Sequence, residues 1–582
     1  MSRSNKKQAF SQLVKYIFKY WYLLLALIIF ACGSVYATIM SVIYVGKAID
    51  LMVGGVNSVN TNKLIYYCTS VLLDIGIYLI CQWIVESIAG MVTHKVVRDI
   101  RRDFFNRMES LPLSYIDSKR TGEILSRMVV DVEQIADGLV MTFSHFVTGV
   151  LTIIGTIVIM MIISWKIGLI IVCITPLSLL LASFISKGTH KHFKRQSEIR
   201  GEISDKTESA VNNQTLYKVF GYQERGENAF QEDNIRLEKT SIKAVFFSSL
   251  PNPTTRFVNN IIYLLVGVVG ALMAINGGLS IGSLVSFLTY SLKYAKPFNE
   301  ITDVLAEIES AIASAERVFE ITNAQVEIPD SPNAVVLNGV DGNLSIKDVS
   351  FSYDKSKSLI EHFNLEVESG QTIAIVGRTG CGKTTLINLL MRFYDIDSGQ
   401  IIVSGNDIKK VTRDSLRKSF GMVLQDSYIF SGTIRDNIAF GYPDATDDEI
   451  IQASKHAHAY SFIKRLPNGL DTVIGENVNL SEGQKQLLCI ARAMLKLPEM
   501  LILDEATSSV DTRTEIKIQR AFDEMMKNRT CFVVAHRLST IKRADCIIVM
   551  DNGKIIEKGT HKELLKQNGF YTKLYNSQFA HN

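Results

Sequence analysis

No two of the eight cysteines stand in a Cys-x-x-Cys spacing; Cys32, Cys68, Cys81, Cys173, Cys381, Cys489, Cys531 and Cys546 are scattered singly. A structural zinc site or a disulfide framework is therefore not expected, and reduced thiols in a cytoplasm-facing protein are. Charge of one sign is also missing. A net charge of +4 over 582 residues leaves no basic excess of the kind a nucleic-acid binder needs. Nor is there a removable signal: the basic start (Arg3, Lys6, Lys7, Lys15, Lys19) runs into an apolar segment too long for a signal core, with no evident small-residue cleavage site. That segment reads as a membrane span. The chain is too long for one ordinary domain.

What is present falls into two halves. In the first, long apolar runs predict six spans, at 21–45, 64–91, 139–164, 167–186, 246–276 and 281–298. The segments after the second and fourth runs are rich in Lys and Arg (Lys95, Arg98, Arg101, Arg102; Lys187, Lys191, Lys194, Arg195), whereas 53–62 and 276–280 are nearly uncharged. The positive-inside rule puts the N-terminus, both long connections and, after an even number of spans, the second half in the cytoplasm. The two connections are too long for simple loops. Each reads as helix leaving the membrane, a short crosspiece (111–117 and 215–223) and helix returning, either as a lever on a neighbouring domain or as a solvated hairpin. Asp74 falls inside the second run, where a charge is costly. It reads either as a contact for a cationic substrate or a helix partner, or as an acid near the outer end of its span.

From about Leu344 short apolar strands alternate with helices, the pattern of a mainly parallel sheet. Between the apolar run Ile373-Ala374-Ile375-Val376 and the helical run 386–390 stands Gly377-Arg378-Thr379-Gly380-Cys381-Gly382-Lys383-Thr384, followed by Thr385. This is a P-loop: glycines admit a polyphosphate close to the backbone, successive N–H groups point inward, and a helix N-terminus adds partial positive charge. Lys383 is placed for the β- and γ-phosphates and the Thr384 hydroxyl for Mg²⁺. Another apolar strand, Met500-Leu501-Ile502-Leu503, ends in Asp504 and Glu505. Asp504 suits Mg²⁺, and Glu505 suits polarising a water, unless it is an ordinary strand-end acid. His536 ends a further apolar strand and, taken alone, is either structural or catalytic. Cys381, inside the loop, is expected to react with maleimide and so block ATPase activity.

The order of these motifs resembles the half-transporters of the ABC exporter superfamily, over nearly the whole chain. The fold this implies is multidomain: an all-α six-helix transmembrane domain, then an α/β P-loop NTPase domain with a helical subdomain. The implied boundaries are a cytoplasmic segment at 1–20, a membrane domain at 21–320, a linker at 321–343 and a nucleotide-binding domain at 344–578. The resemblance implies that Tyr353 stacks on adenine and that Gln425 senses Mg²⁺ and nucleotide. It implies that Ser481, Glu482, Gly483 and Gln484 form the signature motif, that Asp511 closes the D-loop and that His536 contacts the γ-phosphate. It makes 111–117 and the region of Phe220-Gly221-Tyr222 similar to coupling helices. It also implies pairing, because in this family the signature motif of one subunit caps nucleotide held by the P-loop of another.

One position departs from the pattern. The family's usual signature carries two central glycines, and here the first is Glu482. A carboxylate 4 Å from a phosphate charge costs roughly 4 kcal/mol at an effective dielectric of 20 unless it swings away. With Lys383, Asp504, Glu505 and His536 in place, this resembles one partner of a heterodimeric multidrug exporter. The expectation is ATP- and Mg²⁺-dependent export of small amphipathic compounds across a bacterial inner membrane. The partner is a second half-transporter and there is no nucleic acid. The alternatives are a homodimeric lipid flippase, a peptide or siderophore exporter, and a soluble ABC-type ATPase.

Overall fold

The structure is a computed structural model that describes residues 3–53, 59–475, 479–504, 510–534 and 538–579. The chain divides into two units, residues 1–109 with 120–324 and residues 110–119 with 325–582.

The first unit is helical. It contains α1 (Arg3–Phe18), α2 (Trp21–Met52) and α3 (Thr61–Glu109); α4 (Leu113–Asp117), next in sequence, belongs to the second unit. Then come α5 (Thr121–Ile163), α6 (Trp165–Asn212), α7 (Gln214–Val219), α8 (Gln223–Ile275) and α9 (Ile281–Thr322). Among the described residues, α2, α3, α5 and α8 are long and apolar enough to cross a membrane, and α6 opens with a shorter apolar stretch, Trp165–Ile174. At 1.5 Å per residue the 49 residues of α3 extend about 70 Å, well beyond the ~30 Å of a hydrocarbon core. Its charged second half therefore continues as helix outside the apolar run. Nothing breaks it, because the first proline of the chain is Pro112, directly before α4.

Two features hold the helices together at their charged ends. Lys19 Nζ and Tyr20 Oη, where α1 meets α2, donate to Asp99 Oδ2 of α3 at 2.6 and 2.9 Å. In α5 a π turn at Arg127–Asp131 points both charged side chains at α9. There Asp131 accepts from Arg317 Nε at 2.9 Å, and Arg127 donates to Glu320 at 2.8 Å and to the Arg317 carbonyl at 3.0 Å. A π turn inserts a residue into the helix and so re-aims the side chains it contains.

The second unit is built on twelve strands: β1 (Leu344–Phe351), β2 (Ile360–Val367), β3 (Thr372–Gly377), β4 (Ser398–Val403), β5 (Asn406–Asp407), β6 (Phe420–Val423), β7 (Gly432–Thr433), β8 (Val473–Ile474), β9 (Met500–Asp504), β10 (Thr530–Val534), β11 (Cys546–Asp551) and β12 (Lys554–Gly559). A six-stranded sheet runs β12-β11-β3-β10-β9-β6, parallel except for β12. A four-stranded antiparallel sheet runs β2-β1-β4-β5, and β7 pairs with β8. Between their end residues the central strands β3, β9 and β10 are apolar, because both their faces are covered. Ala374, Val376, Leu501, Leu503, Cys531 and Val533 enter one core; their alternates Ile373, Ile375, Met500, Ile502, Phe532 and Val534 enter the other. Each fully buried side chain of this size contributes about 1.5–3 kcal/mol.

The segment entering this unit after 324 is clasped. Arg413, only 8% exposed, donates to Asp330 Oδ1 at 2.8 Å and to the Ile328 carbonyl at 2.6 Å, while Arg417 donates to Glu327 at 2.7 Å. Removing one partner of such a buried set strands the other charges. Arg413→Met is therefore expected to destabilise the nucleotide-binding unit by about 3 kcal/mol. Arg413→Lys is expected to recover only part of this, since an ammonium lacks the guanidinium fork. Thermal unfolding of the two variants checks both expectations.

Candidate functional site

Register fixes where the candidate residues lie. In β10, Val534 stands beside Ile375 of β3 on one side and Asp504 of β9 on the other. The C-terminal ends of the three strands thus share one edge of the sheet. From that edge β3 turns through Arg378, Thr379, Gly380 and Cys381 into α10 (Lys383–Leu390), with Gly382 at its N-cap. Lys383 curls back over the loop and donates Nζ to the carbonyls of Gly377 and Arg378 at 2.9 and 3.0 Å. Thr379, Gly380 and Thr384 are exposed, and Thr385 is buried in the first turn of α10. The Arg378 guanidinium lies over the Phe570 ring, 5.2 Å from its centroid. Cys381 is a correction. It is buried beneath the loop, and burial pushes its thiol up from the ordinary range, so it is a packing residue and not the reactive handle its position suggested.

Two supports of this loop were not visible in the motif. The Gly553 N–H donates to the Cys381 carbonyl at 3.1 Å. Asn552 and Gly553, both at positive φ, make the tight turn between β11 and β12, and a Cβ on Gly553 would fall 1.4 Å from the Leu359 carbonyl oxygen. An Asn-Gly pair between two apolar strands is the signal that could have located it. The second support is aromatic. Tyr353 stands edge-on to Phe351 and Tyr394, with centroids 5.0 and 4.9 Å away, and its hydroxyl accepts from Asn388 of α10 at 3.4 Å. Tyr394 in turn donates to Asp117 Oδ2 of α4 at 2.6 Å. Burial and this carboxylate raise the Tyr394 hydroxyl above its usual range.

Gln425 is exposed, two residues past the end of β6, and Asp504 is buried at the tip of β9. The signature residues open a different helix, α11 (Glu482–Leu495). Ser481 is its N-cap: its hydroxyl accepts from the Gln484 N–H, and the Gln484 side chain accepts from the Ser481 N–H at 2.9 Å, a complete capping box. Among the described residues no hydrogen bond joins Ser481–Gln484 to the loop from Gly377 to Thr385. Glu482 is turned along its own helix, accepting from Lys485 Nζ at 2.7 Å. Gly483 packs against the start of α12 (Thr512–Met526): a Cβ there would fall 2.5 Å from Thr514 Cγ2 and 2.8 Å from Val510 Cγ1. Asp511 caps α12, and the N–H groups of Thr514 and Arg513 hold its carboxyl below the usual range. Glu505, directly after Asp504, and His536, two residues past Val534, fall outside the described residues, as do Ser508 and Ser509.

The family model described as the ABC transporter transmembrane region matches residues 23–295, and the one described as ABC transporter matches residues 360–508. The fatty acid ABC transporter ATP-binding/permease protein of Mycobacterium tuberculosis is 40% identical over 506 residues, covering 86% of this chain and 80% of the relative. The chain belongs to the ABC transporter family. Also similar are the Bacillus subtilis protein YgaD, whose name assigns it provisionally to multidrug export (37% over 531 residues, 90% of this chain and 91% of that one), and the ATP-dependent lipid A-core flippase of Vibrio cholerae (35% over 492 residues, 84% of each). This ABC transporter is thus a membrane protein in which a helical transmembrane domain is fused to an α/β domain that binds ATP and couples its hydrolysis to transport. The soluble ATPase alternative falls away.

The contact between the signature helix and α12 is directly testable. Gly483→Ala is expected to overpack it at a cost of about 1–3 kcal/mol and to lower ATPase activity. Thr514→Ser removes one of the two obstructing methyls and leaves Val510 Cγ1, so adding it to Gly483→Ala is expected to recover part of the activity, measured as steady-state phosphate release.

Proposed function

We propose that this ABC transporter exports amphipathic, lipid-like compounds as one half of a two-subunit pump, from a membrane domain at 21–320 with six spans and with both termini in the cytoplasm. The names of its relatives, for fatty acids, multidrug export and lipid A-core, support an amphipathic cargo. The observation that carries the reading is the chain of contacts from Asn388 through Tyr353 and Tyr394 to Asp117. It links the helix that opens at the P-loop to the crosspiece that joins α3 and α5.

In this reading ATP lies along the loop from Gly377 to Thr385. The loop N–H groups and Lys383 take its phosphates, and Tyr353 offers its half-exposed face to the adenine. Mg²⁺ would neutralise developing phosphate charge. The residues that fit it are Thr384, whose exposed hydroxyl has no hydrogen-bond partner among the described residues, with Asp504 and Gln425, an all-oxygen set suited to a hard cation. Glu505 positions the attacking water, and His536 holds the γ-phosphate. Ser481, Gly483 and Gln484 serve a nucleotide on the partner's P-loop, with Glu482 and Asp511 at the same seam.

Pairing has its own support. On the second crosspiece Val219 and Phe220 are 73% and 75% exposed, and Leu216 beside them is exposed too. Three large apolar side chains on so short a piece mark a surface that is covered in the working protein. We assign its cover to the nucleotide-binding unit of a second subunit. An unlike partner is supported by Glu482 in place of glycine. Two copies of this chain are supported by the Glu482–Lys485 ion pair, which turns the carboxylate's charge away.

Two measurements test these readings. In sealed vesicles holding the purified protein, Lys383→Ala is expected to cut ATP-driven uptake of a fluorescent amphipath by about a hundredfold or more; uptake at the wild-type rate would defeat the proposal. For the partner, the chain is purified alone and its phosphate release measured. Little turnover that rises on adding a co-expressed half-transporter indicates an unlike partner, and full turnover alone indicates two identical subunits.

A further inference from the structure

Within the first unit, α2, α3, α5 and α9 enclose a cavity of about 520 Å³. Asp74 of α3 lines it. This carboxylate is 7% exposed, and its Oδ2 is buried without a hydrogen-bond partner among the described residues. It is therefore not an acid at the wet end of its span. A buried acceptor left unsatisfied in a cavity calls for a donor from outside the fold. The same cavity is lined by Lys293 of α9, whose Nζ donates to the Thr38 carbonyl at 3.3 Å and keeps further donors free. No ion pair joins Asp74 of α3 to Lys293 of α9, so the two charges line one space without neutralising each other. The other charged groups on the lining, Lys296 and Glu300, pair with each other at 3.3 Å, and His145 completes the titratable set. A simple cation would meet Asp74 but also two lysines. A simple anion would meet Lys293 but also Asp74.

We propose that this cavity is a binding site for the head group of a zwitterionic amphipath, its ammonium on Asp74 and its anionic group on Lys293, with Tyr78 and Ile75 beside the first carbons of the tail. A space of this size takes a head group and a short length of chain, not a whole two-chain lipid. As a site for cargo the inference rests on the exporter reading; as a binding site it does not.

The test separates the two. Full-length protein without nucleotide, in an uncharged maltoside detergent, is titrated with three amphipaths of equal tail: dodecylphosphocholine, dodecyltrimethylammonium and laurate. Binding is read from the ligand-induced rise in unfolding temperature. Wild type is expected to prefer the zwitterion. Asp74→Asn is expected to raise its half-saturating concentration about tenfold while favouring laurate, and Lys293→Gln to raise it about tenfold while favouring the cation. Equal binding of cation and zwitterion by wild type overturns the site, as does an unchanged zwitterion titration in Asp74→Asn. If Asp74→Asn does not fold, Lys293→Gln decides alone: a ratio of cation to zwitterion affinity equal to that of wild type overturns it. Charge-selective binding without ATP-driven transport of dodecylphosphocholine, in vesicles where the same preparation pumps another amphipath, supports the site and overturns its role as the cargo site. Transport without the selectivity overturns the site and supports the exporter reading.

Discussion

Parallel strands that start together also end together, and this register is the constraint on which the molecule depends. β3, β10 and β9 are neighbours, and Val534 lies level with both Ile375 and Asp504. The phosphate-binding turn, the acid of β9 and the segment that follows β10 must therefore emerge along one edge. Side chains on both faces of these strands are buried in close-packed cores, which hold the edge in place. The rest of the second unit can be divided into what supports this fixed edge and what leads from it. The β11–β12 turn supports the edge, with Gly553 holding the Cys381 carbonyl from below. The aromatic cluster around Tyr353 connects the helix after the P-loop to α4.

The two places where chain from the membrane half enters the second unit are built very differently. After residue 324 the chain is gripped by buried guanidinium groups, each making several bonds: Arg413 reaches Asp330 and the Ile328 carbonyl, and Arg392 reaches the Ile408 and Val411 carbonyls underneath. Breaking such a set costs several kcal/mol, so that connection is permanent on the timescale of turnover. At α4, by contrast, Tyr394 donates a charge-assisted hydrogen bond to Asp117 at an exposed position, and just before α4 the Ser110 carbonyl accepts from the Glu327 N–H at 2.9 Å. The charge-assisted bond is worth about 1.5–3 kcal/mol at most. That matches the 1–3 kcal/mol typical of coupling between distant sites.

Much of this was legible in the sequence, for identifiable reasons. The P-loop, the strand ending in Asp504 and the crosspiece at 111–117 are local patterns whose spacing encodes their geometry. The alternation of the two cores is equally local, since residues two apart in a strand share a face. What could not be read joins residues far apart in the chain: Tyr353 with Tyr394, Gly483 with Thr514, Gly553 with Cys381. No periodicity carries those pairs. The exposure of Cys381 was misjudged for the same reason, because the residues that bury it come from other strands. The burial of Asp74 and its place in one cavity with Lys293 depend on how α3 and α9 pack, which apolar runs alone do not specify. Glu482 is the instructive case. Its pairing with Lys485 is an i,i+3 contact, legible once the helix is taken to start at Glu482.

That contact also bears on what the glutamate does. At the first turn of α11 a carboxylate gains about 0.3–1 kcal/mol from the helix dipole and a few tenths more from an exposed partner three residues on. Both terms are small, so the orientation along the helix is only weakly held. Facing a phosphate is far worse, by roughly 4 kcal/mol at 4 Å and an effective dielectric of 20. The weak preference and the strong penalty point the same way, and the side chain has a solvated place to stay in whichever state the seam adopts. The cost of replacing glycine here is then not mainly electrostatic. Nor does the backbone demand glycine there, since Glu482 opens α11 and is not among the residues at positive φ. A glutamate held along its own helix is therefore compatible with either kind of partner in the proposed two-subunit reading.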